Sequence, residues 1–154
     1  MTVIKSKRKF TPLQAITETQ KLAMYTIQLC TDEQKFPKRY RWCLTQKIVD
    51  AAISVKANAA RANSVYVHDA DCYKLRREYQ QRSLAELAAL ETLMDTAYNL
   101  FAGLRQSKPA TTRKESNPTK RINISTWSYQ LIIVRKMLLA WKKADTDRYK
   151  NLLR

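Results

Sequence analysis

The stretch FPKRYRWCLTQKIVDAAISVKANAARA, residues 36–62, decides the fold. Leu44, Ile48, Ala51, Val55, Ala59 and Ala62 recur every three or four residues, so they share one side of a helix. Pro37 suits a first turn, because its φ is fixed and its missing N–H would find no partner there. The spacing predicts a helix from 37 to about 67. At 100° per residue a second group, Trp42, Val49, Ile53 and Ala60, falls opposite the first. A helix apolar on two faces is buried twice, and these four residues are expected to meet another subunit.

The lead-in to this helix is an unusual mixture. Residues 35–48, KFPKRYRWCLTQKI, hold five basic side chains, three aromatics and no acid. Tyr40, Leu44 and Ile48 read as inward. Lys38, Arg39, Arg41 and Lys47 have no structural task and are candidates for phosphate contact.

The flanking sequence repeats the helical pattern three times. Thr11-Pro12 reads as N-cap and N1 of a helix to about Gln34, with Leu13, Ile16, Ala23, Ile27 and Cys30 inward. Asp69 caps a helix to about Gln106, with Leu87, Leu90, Met94, Ala97, Phe101 and Leu104 inward. Ser125 is expected to cap the last helix, 125–144 or beyond, with Trp127, Leu131, Val134, Leu138 and Trp141 inward. Residues 1–10 form a basic tail. Residues 105–121 are rich in Ser, Thr, Pro and Lys without periodicity and read as a basic surface loop. The predicted fold class is all-α, an up-down-up-down four-helix bundle over 11–154.

Composition agrees. Among 154 residues there are one glycine and four prolines, few breakers for a chain rich in Ala, Leu, Lys and Arg. No secretory pattern and no apolar run of membrane-spanning length occurs, so no membrane partner is expected. The cysteines, Cys30, Cys43 and Cys72, are widely spaced and read as reduced, mostly buried thiols of a cytoplasmic protein. With one histidine, His68, the chain offers no zinc-ligand pattern, and neither metal nor cofactor is expected.

Charge is the loudest signal. Twenty-nine Lys and Arg against thirteen Asp and Glu leave +16. An excess of one sign points to a polyanionic partner, RNA and possibly DNA. Beyond the lead-in, three further groups of cations are candidates. Arg76, Arg77 and Arg82 begin the third helix, with Tyr73 and Tyr79 nearby for stacking. Because Arg76, Gln80 and Ser83 stand where the apolar stripe should continue, that half-helix is expected to leave the bundle or line a wet space. Arg113, Lys114, Lys120 and Arg121 lie in the loop. Arg135, Lys136, Lys142 and Lys143 share a sector of the last helix with Ile132 and Leu139, a surface for phosphate or for a protein.

Catalytic signatures are lacking. There is no HExxH, GxSxG or phosphate-binding loop, and His68-Asp69-Ala70-Asp71 sits at a turn where a capping Asp belongs. The expectation is a protein that is not an enzyme.

Phe36-Pro37-Lys38-Arg39-Tyr40-Arg41 followed by Leu44-Thr45-Gln46-Lys47-Ile48, with Ile124-Ser125 and Trp141-Lys142 one helix later, resembles a known family. It is similar to the accessory variability determinant (Avd) proteins of diversity-generating retroelements, bacterial or phage-encoded. These belong to a wider group of four-helix-bundle proteins that includes those encoded in 23S rRNA intervening sequences. The likeness spans roughly residues 20–145. It implies a homopentameric, basic ring with a central channel that binds a reverse transcriptase and its template RNA. It also implies support of mutagenic cDNA synthesis without catalysis by the ring itself. Carried onto matching positions, it implies RNA or polymerase contact at Lys38, Arg39, Arg41 and Lys47. The alternative is an interaction scaffold, or a general RNA-binding bundle protein, without a retroelement role.

Overall fold

A computed structural model describes residues 11–106 and 122–153, with the side chains of 104–106 and 153 outside that description. Four α-helices account for most of it: α1 (Pro12–Thr31), α2 (Gln46–Ser64), α3 (Ala70–Gln106) and α4 (Ile124–Tyr149). No strand occurs among the described residues. No helix there is long and apolar enough to cross a membrane.

Consecutive helices run antiparallel. Ser83 of α3 donates to the Val55 carbonyl of α2 at 2.8 Å, and Arg76 reaches the Val65 carbonyl just past the α2 terminus at 3.2 Å. Trp127, at the start of α4, donates its indole N–H to Thr26 Oγ1 near the end of α1 at 3.0 Å. Helix α1 packs on α2 and α4, and α3 packs on the same two, which closes an up-down-up-down bundle.

Each start has a local cause. Thr11 and Gln14 form a reciprocal capping box around Pro12, at 3.3 and 3.1 Å. Asp69 Oδ1 accepts from the Cys72 amide at 2.7 Å and caps α3. Asn123, not the expected Ser125, accepts from the Thr126 amide and caps α4. Asparagine serves that role as well as serine does, so residue type alone could not choose between them.

The lead-in to α2 departs from the predicted single helix of 37–67. Residues Lys38–Tyr40 form a 3-10 turn and Arg41–Thr45 a π turn, closed by the Gln46 N–H donating to the Arg41 carbonyl. Regular α-helix covers only Gln46–Ser64. The aromatics anchor this irregular segment. Phe36 is buried edge-on against Phe101 at 5.4 Å and Trp127 at 6.3 Å, and Tyr40 tilts onto Phe101 at 5.5 Å. Burying Phe36 alone contributes on the order of 2 kcal/mol. The aromatic plug therefore fixes where the basic residues around it sit.

The core holds Leu44, Ile48, Ala51, Val55, Ala59 and Ala62 of the α2 segment, with Leu87, Leu90, Met94, Ala97 and Phe101 opposite. Leu13, expected inward, is exposed, one turn from the end of α1, while Ala15 takes the inward place. Leu104 lies outside the described side chains.

The largest correction concerns the start of α3. Arg76, Gln80 and Ser83 face the bundle interior, not solvent. Arg76 Nε donates to Asp145 Oδ2 at 2.7 Å, and Gln80 Nε2 donates to the same oxygen at 2.7 Å. Counting 1.5 Å per residue from the Thr26–Trp127 contact, Pro12 lies level with Trp141 and Asp145 about one turn further on. At that level α1 has ended, and a polar layer replaces the apolar one.

Candidate nucleic-acid interface

The cations at the lead-in differ in what holds them. Lys38 and Arg41 both approach Glu33, at 3.1 and 3.7 Å. Arg39 lies over the Tyr40 ring, 4.8 Å from its centroid, and Lys47 is exposed. Neither Arg39 nor Lys47 has a carboxylate partner among the described residues. Trp42 stands 80 % exposed beside them. Between the end of α1 and the lead-in lies a groove of about 310 Å³, lined by Ile27, Cys30, Phe36 and Val49, with Lys38 and Arg41 at its edge.

The group at the start of α3 breaks up. Arg76 is withdrawn into the bundle and bound to Asp145, so its guanidinium is not offered to a phosphate. Arg77 is exposed and donates to Tyr73 Oη at 3.1 Å. Arg82 pairs with Glu78 at 2.6 Å and lies over the Tyr79 ring. Tyr73, expected as a stacking platform, is itself buried.

On α4, Arg135 pairs with Glu91 at 2.5 Å and Lys142 donates to Gln81 Oε1. Lys136 and Lys143 are exposed with no carboxylate partner among the described residues. They alternate along one outer sector with the exposed Tyr129, Ile132 and Leu139. Arg113, Lys114, Lys120 and Arg121, with the tail 1–10, lie outside the described residues.

On the second face of α2 and its lead-in, Trp42, Ile53 and Ala60 are exposed, while Val49 is half-buried against the core.

Two features escaped the sequence reading. Asp145 continues the inward stripe of α4 one turn past Trp141, which would have pointed to a buried acid needing a partner. The thiols also differ from expectation: Cys30 is buried, but Cys43 is exposed and Cys72 half-buried. Cys72 lies beside His68 and Asp69, so three groups with metal-binding atoms share one corner. No family model, curated protein or solved structure matches this chain.

Proposed function

We propose that this chain is a non-enzymatic, basic accessory subunit that binds RNA through its phosphates and holds it beside a reverse transcriptase. The observation that carries the RNA part is that Arg39, Lys47, Arg77, Lys136 and Lys143 are exposed and have no acidic partner among the described residues. A cation already neutralised by a neighbouring carboxylate gains little from a phosphate, whereas these five release counterions when they meet one. Backbone contacts of this kind give affinity with little reading of sequence. The Trp42 face of α2 supports self-association, which would multiply weak contacts through valency. The polymerase, the pentamer and the retroelement setting rest on the resemblance of the lead-in and of Trp141-Lys142.

The test is RNA binding by fluorescence anisotropy across a salt series. Engagement of all five cations on a single strand gives a log–log slope of about −3.5. An affinity indifferent to salt would sink the electrostatic mechanism. Stimulation of a neighbouring reverse transcriptase by added protein tests the accessory role separately.

A second reading, a protein-interaction scaffold, is favoured by the α4 sector, where Tyr129, Ile132 and Leu139 lie among lysines. A solvated face has no need of three exposed apolar side chains. Reversing Lys136 and Lys143 to Glu separates the readings. Loss of polymerase binding with RNA binding intact favours the scaffold.

A further inference from the structure

The corner between α2 and α3 gathers side chains that the RNA-binding role does not use. The geometry points to a three-ligand site for a zinc-like divalent transition metal ion, formed by His68, Asp69 and Cys72.

The arrangement is built by the start of α3. Asp69 is its N-cap, and the Oδ1 bond to the Cys72 amide fixes the cap residue relative to the third residue of the helix. The same carboxylate has a second oxygen, which lies 3.0 Å from His68 Nε2. Cys72 Sγ lies 3.6 Å from His68 Nδ1 and 3.8 Å from Nε2. The Tyr66 ring lies nearly parallel to the imidazole, at 6.4 Å and 20°. One ligand atom from each residue lies within 4.8 Å of the others.

The His68 spacings, 3.0 Å to Asp69 and 3.6–3.8 Å to Cys72, come near those of a coordination polyhedron. Metal–nitrogen, –oxygen and –sulfur bonds of about 2.0–2.3 Å in a tetrahedron put ligand atoms roughly 3.3–3.8 Å apart. All three ligand atoms already lie within 4.8 Å of one another, so a metal ion has to draw them together by about 1 Å at most. The donor set selects the ion: a thiolate disfavours magnesium and calcium, while imidazole with thiolate suits zinc and its neighbours. A neutral imidazole, a carboxylate and a thiolate balance a dication, which matters in a chain of net charge +16. Binding forms a metal–sulfur bond and releases the Cys72 thiol proton to solvent. The fourth position is left to water or an exogenous ligand.

The experiment is titration of the full-length reduced protein with cobalt(II) alone, read in the near ultraviolet. The expected result is a thiolate-to-cobalt charge-transfer band that saturates at one ion per chain and is displaced by zinc. Cys43→Ser keeps the band and Cys72→Ser removes it. Asp69→Asn retains a cap oxygen, so the helix start survives while the ligand is lost, and affinity falls about tenfold or more. His68→Gln, outside the cap, gives the same loss without any helical change. Absence of the band, its survival in Cys72→Ser, or wild-type affinity in both Asp69→Asn and His68→Gln would overturn the site.

Discussion

Arg76 and Asp145, 69 positions apart in sequence, meet inside the bundle through two hydrogen bonds: Nε to Oδ2 at 2.7 Å and a terminal nitrogen to Oδ1 at 3.3 Å. They are 8 % and 2 % exposed. Gln80 and the Val65 carbonyl satisfy further positions, and the guanidinium lies over the Trp141 ring at 5.3 Å. Asp145→Ala strands a buried cation and is expected to cost about 3–5 kcal/mol, read as a lower urea midpoint. Arg76→Met with Asp145→Leu removes both charges and recovers most of that loss. A double-mutant cycle with no coupling would refute the pairing.

The Trp127 indole and the Thr26 hydroxyl form a buried bond between α4 and α1. Thr26→Val keeps the shape and leaves the indole N–H without its acceptor. The expected cost is about 1–3 kcal/mol, with Thr26→Ser far milder. Thermal midpoints of the two variants check this, and equal values would count against the bond.

Glu33 holds both Lys38 and Arg41 at exposed positions. Glu33→Gln is therefore expected to change stability by under about 1 kcal/mol. It frees both cations, so RNA affinity rises and the salt slope on a single strand steepens by about 1.4. Anisotropy at several salt concentrations measures both quantities. An unchanged slope would remove the α2 lead-in from the interface.

The thiols provide a pH-dependent prediction. Burial pushes Cys30 from its ordinary 9.0 up to about 12, so the folded state favours the protonated form. Its stabilising contribution is complete below pH 9 and is lost as pH rises from about 9 toward about 12, where the unfolded chain ionises first. Cys30→Ala is expected to flatten that part of the alkaline decline. At neutral pH, alkylation followed by mass spectrometry should modify the exposed Cys43 and spare Cys30 until urea opens the bundle.

Trp42 touches little of its own chain. Trp42→Ala with Ile53→Ala is expected to shift bundle stability by no more than about 0.5 kcal/mol per site. The particle mass by light scattering should fall to that of one chain. A wild-type protein that is already monomeric would contradict the proposed use of this face.

Much of the architecture was legible because the Leu44–Ala62 and Leu87–Phe101 stripes keep a helical period and Pro12, Pro37 and Asp69 punctuate them. Arg76 misled for a physical reason. An inward arginine and an outward one have the same sequence signature until the partner is known, and Asp145 lies in another helix. The cation groups were legible as residues but not as an interface. Glu78 neutralises Arg82 at i,i+4 spacing that the sequence does report, but Glu33 and Glu91 reach cations on other elements, which spacing along the chain does not show. The His68–Asp69–Cys72 corner was hidden because the capping Asp has a complete explanation with one of its oxygens.

The π turn at Arg41–Thr45 makes the azimuth of the basic segment a discrete variable. A π turn is an α turn with one residue inserted, so it absorbs the extra residue and keeps the segment before it in place. Rewinding these five residues to regular α-helix, with none removed, rotates everything before Arg41 by about 100° around the α2 axis, while Ile48, Ala52 and Val55 keep their places in the core. One turn of backbone thus sets which neighbour Arg39 faces.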